Sequence, residues 1–256
     1  MDIATPIGIF GAFAVIALSN ILEGGNPMNM FLLPPLLLVF GGTIMVSVAG
    51  GTLHDAKAVV PSMIKAMTGK AESSADVVPV IVSLADKARK EGLLALEDSL
   101  KTIDDPFLVK GVTMAVDGTD PEEMAEILEA EVHAKKAEVK QSAKFFGDAG
   151  AYAPTIGIIG TVMGLVHVLE NLDKPETLGH SIAAAFLATL WGVLSANVIF
   201  LPIGNRLKRL GELETARMEI TIEGVLAIQA GSNPRIIAQK LKSLLPAHEQ
   251  SDAEAA

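Results

Sequence analysis

Residues 147–166 read GDAGAYAPTIGIIGTVMGLV. Apart from Asp148 the stretch is uncharged, and about 20 such residues in a row are what a helix needs to cross a bilayer. Yet it contains Pro154, Thr155 and Thr161. A proline removes a backbone donor, and a hydroxyl in hydrocarbon needs a partner. The stretch therefore poses a functional question as well as a structural one.

Three more segments share its character, at about residues 3–22, 30–51 and 182–203. With 149–169 they predict four membrane helices. The first lacks the basic start of a signal peptide and reads as a retained span, though Pro6 can shorten it. Pro34 and Pro35 mark the start of a regular second helix. Half the chain's 256 residues are hydrophobic. Charge is concentrated in the stretch between spans two and three, so one chain is built for two solvents.

Cations set the orientation. Lys57, Lys65 and Lys70 follow span two, Lys135, Lys136, Lys140 and Lys144 precede span three, and Arg206, Lys208 and Arg209 follow span four. The remaining loops carry only Lys174. The predicted architecture is all-α, an integral membrane protein with a helical cytoplasmic domain between spans two and three. Spans one and two occupy 1–52, the cytoplasmic domain 53–146, spans three and four 147–205, and cytoplasmic helices with a tail 206–256. Both termini are cytoplasmic in this layout, and the last residues, HEQSDAEAA, read as a disordered tail.

Within the cytoplasmic block, Val82, Ala85, Ala88, Leu93, Leu96 and Leu100 recur at three- and four-residue spacings, a helical pattern that Gly92 can divide. Asp120 before Pro121 reads as an N-cap followed by an N1 proline, with Glu122 and Glu123 in the first turn. That helix can run straight into span three. Near the C-terminus, Gly231-Ser232-Asn233-Pro234 reads as a turn between two helices.

Several functions are excluded or disfavoured. A net charge of −10 and 4% aromatics argue against a nucleic-acid binder. The absence of cysteine rules out disulfides and thiolate chemistry. No phosphate-cradling loop, HExxH or nucleophile elbow is present. An enzyme, a cofactor and a metal site are therefore not expected.

The membrane segments hold no Asp, Glu, Lys or Arg at depth. An ion carrier working alone would need a carboxylate there, so this chain either moves no ions or relies on a partner helix for that group. Spans three and four are instead rich in small and hydroxylated residues. Gly160 and Gly164 form a GxxxG, and Ala184, Ala188, Gly192 and Ala196 recur every four residues. Such stripes allow close helix packing, either within the chain or against a neighbour. Thr161 and Thr189 can line a wet path between helices, or each can bond its own i−4 carbonyl. Pro154 and Pro202 free the carbonyls of Gly150 and Val198, giving static kinks or a hinge. The charges of ADKARKEGLLALED, residues 85–98, read by spacing alone as a solvated face.

Taken together, these motifs resemble the MotA/PomA family of flagellar stator subunits. The resemblance rests on ADKARKEGLLALED, GDAGAYAPTIGIIGTVMGLVHVLENL, LATLWGVLSANVIFLPIGNRL and EGVLAIQAGSNPR, in that order and spacing. It implies a ring of five chains in the bacterial inner membrane, around two copies of a MotB-type partner that supplies the missing aspartate. Ion flow would turn the ring, and the cytoplasmic block would act on the rotor protein FliG. By this resemblance Arg89, Lys90, Glu97 and Asp98 contact the rotor, Pro154 and Pro202 couple ion passage to movement, and Thr161 and Thr189 border the ion path. Sodium-driven relatives commonly carry two adjacent threonines where this chain has Ala188-Thr189, so the resemblance favours protons. The alternatives are an energiser of the ExbB/TolQ branch, which typically has three spans, and a non-conducting membrane scaffold.

Overall fold

A computed structural model describes residues 3–70, 73–246 and 249–250, and all regular structure in them is helical. The eleven α-helices described are α1 (Ala4–Leu22), α2 (Leu33–Leu36), α3 (Gly42–Ala49), α4 (Leu53–Thr68), α5 (Val77–Glu91), α6 (Glu97–Leu100), α7 (Pro106–Val116), α8 (Pro121–Glu170), α9 (Pro175–Leu194), α10 (Leu201–Gln229) and α11 (Pro234–Leu244). They form two compact units, one from residues 1–70 and 139–208, the other from 71–138 and 209–256.

Among the described residues three helical runs are long and apolar enough to cross a membrane: α1, α8, and the continuous run from Pro175 to Gln229. Pro6 does not shorten α1, because it lies in the first turn, where its missing N–H has no helical partner. The second segment departs from expectation. It is helical only from Leu33 to Ala49, because Asn26 caps a separate 3₁₀ turn at Pro27–Met30 and Gly50 ends α3. Pro34 and Pro35 do sit in its first turn, but the helix is not regular: a π turn at Leu37–Gly41 joins α2 to α3. Span four also starts earlier than its apolar run, with Pro175 at the first helical position and Glu176 favouring the helix N-terminus.

The core of the first unit joins Phe145, Phe146, Ala149, Ala153, Ala196, Phe200, Ile203 and Leu207. Trp191 gathers Phe13, Phe31 and Phe40 around its ring, and its indole N–H donates to the Met30 carbonyl at 2.7 Å. Much apolar surface faces outward, as with Phe10 and Val15 of α1. Lipid would cover such residues at no cost.

The second unit has a core of soluble type, built on Ile81, Leu96, Leu108, Met124, Leu128, Val225, Ile237 and Leu241. Of the periodic residues, Ala85 and Leu96 are buried, while Val82, Ala88, Leu93 and Leu100 pack partly buried against that core. Asp105 caps α7 through the N–H groups of Phe107 and Leu108, and also takes two hydrogen bonds from Arg217 at 3.2 and 3.0 Å. Asp120 caps α8 as expected, accepting from Glu122 and Glu123, and α8 does continue without a break to Glu170. Gly231, at φ +66°, turns the chain before Asn233 caps α11. His248 and 251–256 of the expected tail lie outside the described residues. Glu249 does not behave as tail: it is buried, and its carboxylate accepts from Ser73 Oγ at 2.8 Å and Ala75 N at 3.0 Å.

Candidate functional site

The small residues of α8 and α9 meet face to face. A Cβ on Gly157 would lie 2.7 Å from the Ala188 carbonyl oxygen, and one on Gly192 would lie 2.6 Å from that of Ala153. A Cβ on Gly160 or Gly164 would come within 2.6 Å of the side chains of Ala188 or Ala185. The two backbones therefore approach as closely as sterics allow. Of the two readings of the stripe, internal packing accounts for Ala188, Gly192 and Ala196, all buried within the chain. Gly157, absent from that reading, makes the tightest backbone contact on α8. Its signal was its place three residues before Gly160 and seven before Gly164.

Thr161 and Thr189 sit in this seam, half-buried and hydrogen-bonded to each other through their hydroxyls. Thr161 Oγ is also placed to donate to Ala185 O at 3.0 Å and to its own i−4 carbonyl, Gly157 O, at 3.2 Å. Thr189 reaches across to Gly157 O at 3.4 Å. The local i−4 alternative thus describes only one of the contacts of Thr161, and Thr189 bonds across the seam. Thr155 lies apart from this pair and donates to Tyr152 O. Ala188 is next to the pair in sequence, but its methyl packs on Gly160.

The two prolines are accommodated differently. Pro154 lies within the unbroken α8, half-buried, with its Cα 3.3 Å from the Cβ position of Gly192. Pro202 follows a π turn at Ser195–Phe200. A proline inside a helix calls for a kink or a bulge, and the π turn is a bulge of that kind one turn before it. Pro202 also lines a cleft of about 410 Å³ with Thr5, Gly8 and Ile9 of α1 and Asn197 and Val198 of the π turn.

In the second unit, Arg89 and Lys90 end α5 and Glu97 and Asp98 start α6. Gly92 separates them at φ +88°, a conformation that favours glycine. All four charges are exposed. Each pair complements its helix terminus, cations at a C-terminal end and anions at an N-terminal one. Lys90 pairs with Asp86 at 2.5 Å, and that hydrogen bond raises its pKa. Asp98 pairs with Lys101 at 2.8 Å, which lowers its pKa. Among the described residues the side chains of Arg89 and Glu97 form no hydrogen bond or ion pair.

Known proteins are similar to this chain over nearly its full length. Motility protein A of Bacillus subtilis is 37% identical over 98% of this chain and 93% of its own. Chemotaxis protein PomA of Vibrio alginolyticus is 36% identical over 96% of each. The chain belongs to the MotA/PomA branch of the MotA/TolQ/ExbB proton channel family. The sequence model of that family matches residues 99–220, which include Pro154, Thr161, Ala188, Thr189 and Pro202. The solved MotAB stator complex of Bacillus subtilis contains a chain of the same fold, with a TM-score of 0.89, 36% identity, and coverage of 97% of this chain and 98% of that one. A second, the C. jejuni MotAB structure, gives 0.91 at 30% identity, covering 96% and 97%.

Within this MotA/PomA chain the sequence-predicted residues fall into three places. Thr161, Thr189 and Ala188 share the seam, with Pro154 about two turns from Thr161 along α8. Pro202 sits beyond the π turn, and the four charges form a separate exposed group.

Proposed function

We propose that this chain is a flagellar stator subunit, working with a MotB-type partner to turn ion flow into torque on FliG. The observation that carries it is the Thr161–Thr189 pair, two hydroxyls joined across a glycine-tight seam in spans without a carboxylate. A partner helix bearing an aspartate completes such a path. The full-length similarity to motility protein A and to chains of MotAB complexes supports the same reading.

In this reading four spans cross the inner membrane, the shorter second one included, with both termini in the cytoplasm. Five copies surround two partner chains. Protons are the coupling ion, since Ala188 leaves the pair without a third hydroxyl. Pro154 and Pro202, the latter just after its π turn, are the hinge, and Arg89, Lys90, Glu97 and Asp98 meet the rotor. Deleting the gene is expected to leave flagellar filaments present but paralysed, and the wild-type gene to restore swimming. Thr161→Val with Thr189→Val should restore neither swimming nor partner-dependent proton flux while the partner still co-purifies. Normal flux from that double variant would remove the pair from the path.

A further inference from the structure

The α8–α9 pair is covered on some sides and bare on others. In the seam Gly157 of α8 and Gly192 of α9 face each other. To one side of the seam lie α1–α3: a Cβ on Gly42 would touch Ile156 at 3.2 Å, and Phe13 and Phe40 lie against Trp191. The flanks that point away from the seam have no such cover. At about 100° per residue, Thr155, Ile159, Val162 and Val166 fall within about 40° of the point opposite Gly157, and all four are exposed. On the other run Leu190 lies opposite Gly192, and Asn197 follows seven residues later on the same side, both exposed. The pair therefore ends in two bare flanks, one at each side of the layer.

Asn197 puts a polar group on one of these flanks. Its Nδ2 donates to the Val193 carbonyl at 2.8 Å, and among the described residues nothing bonds its second amide hydrogen or its Oδ1. Lipid tails offer neither donor nor acceptor. Asn197 also borders the cleft of about 410 Å³ beside Ala4, Gly8 and Ala12 of α1, small residues that leave room for a helix to approach. The opposite flank holds the complement. Thr155 Oγ commits its one hydrogen to the Tyr152 carbonyl, which leaves its lone pairs open. The heights agree as well. The two runs are antiparallel, with Pro154 level with Gly192 and Gly150 level with Leu201. Asn197 therefore stands level with the turn at Tyr152, where the Thr155 hydroxyl is held.

We propose that a second copy of the chain covers this cleft: the α8 flank of one copy enters between α1 and Asn197 of the next, and Asn197 Nδ2 donates to Thr155 Oγ across the contact. The proposal rests on the reading of the chain as a ring subunit. Rotation about the membrane normal carries one flank onto the other without changing heights, so only groups that are already level can meet. The bond satisfies an amide that lipid would leave unpaired, and Tyr152, one turn before Thr155 and 38% exposed, brings its ring to the cleft. Such a contact is head-to-tail, each copy giving a different flank, and so can continue around a closed ring. It gives Thr155, which takes no part in the Thr161–Thr189 pair, a place in assembly.

The chain has no cysteine, so introduced disulfides report contacts directly. Two differently tagged chains, one with Thr155→Cys and the other with Asn197→Cys, would be expressed together with a cysteine-free partner and oxidised in native membranes. A dimer carrying both tags is expected, and a chain bearing both substitutions should give a ladder up to the full ring. Val166→Cys with Asn197→Cys is the reference, on the same flank as Thr155 but about three turns higher, and should cross-link several-fold less. Equal yields from the two pairs, or no dimer from a complex whose size shows several copies, would overturn the proposal. A wild-type complex whose size shows a single copy of the chain would overturn the ring reading instead. Asn197→Leu should lower the fraction of rings that survive dilution in detergent several-fold, and adding Thr155→Val should lower it no further. Additive losses, or none, would overturn the hydrogen bond.

Discussion

Gly157→Ala tests whether the α8–α9 seam holds the membrane unit together. The added methyl would meet the Ala188 carbonyl oxygen at 2.7 Å, where ordinary contact begins at 3.4 Å, and it would also press on the Cα atoms of Thr189 and Gly192 at 3.1 and 3.2 Å. All three are backbone atoms, so no rotamer can relieve the clash and the helices must part by roughly 0.7 Å. Overpacking of this kind costs about 1–3 kcal/mol, and rigid neighbours place it near the upper end. The same movement would stretch the 3.0 Å bond from Thr161 to Ala185 O out of range, a further loss of about 1 kcal/mol. Alanine's better helix propensity returns about 1 kcal/mol. The net is a destabilisation of about 2–3 kcal/mol. Gly147→Ala is the control, since its Cβ would meet nothing within 4 Å and should be neutral or stabilising. Unfolding midpoints of the purified full chain in detergent read the difference. A Gly157→Ala midpoint at or above that of Gly147→Ala would refute the seam as a close-packed interface.

Arg217→Leu should destabilise the second unit by about 3 kcal/mol, because it strips Asp105 of its cation where both side chains are only 18% exposed. Adding Asp105→Asn, which keeps an N-cap on α7, should recover part of that loss in the same melting assay. At Asp55 the backbone and side chain of Thr52, with Gln141, hold the carboxyl below its ordinary value. A depressed folded pKa adds stability above the ordinary value of about 4 that is lost as pH falls through the folded one. The gap between wild type and Asp55→Asn in α4 amide protection should therefore close as pH drops below about 4, and a gap independent of pH would contradict the cap. Arg89→Glu, at an exposed position, should change stability by less than about 0.5 kcal/mol while lowering motor torque in tethered cells. A lowered melting midpoint would make Arg89 structural.

Much of the fold was legible because charge and hydropathy separate so sharply. The cap at Asp120, the break at Gly92 and the turn at Gly231–Pro234 could be read from local chemistry alone. The π turns at Leu37–Gly41 and Ser195–Phe200 could not. They depend on where prolines must be accommodated against tertiary neighbours, and no residue type announces them. Glu249 was misread for a related reason: a single carboxylate in a polar tail gives no sign that Ser73 and the Ala75 amide will receive it. In the seam, small residues announced close packing but not its partner. That Ala188 meets Gly160 and Gly157 meets the Ala188 carbonyl is a matter of helix register, and a repeat every four residues on one helix leaves that register open.

The hydrogen-bond inventory of the threonine pair bears on the coupling ion. Each hydroxyl has one hydrogen. The carbonyls of Gly157 and Ala185 lie within reach of those two hydrogens, as do the hydroxyl oxygens themselves. With both hydrogens committed inside the seam, the pair offers a visitor lone pairs and no donor. A protonated aspartate from a partner could donate its O–H to such an oxygen. An ionised one would find no donor there and would be left unpaired at membrane depth, where that is costly. If the pair borders the path as proposed, it favours the neutral carboxyl and so a proton carried on the partner. A sodium ion would need several more oxygens, and Ala188 provides only a methyl. Ala188→Thr is then expected to leave proton-driven swimming reduced by crowding against Gly160 without conferring sodium dependence, since a single added hydroxyl does not complete a coordination shell. Swimming speed measured against sodium concentration at fixed proton-motive force checks this, and a sodium-dependent Ala188→Thr motor would show that the pair needs only one more oxygen to bind the ion.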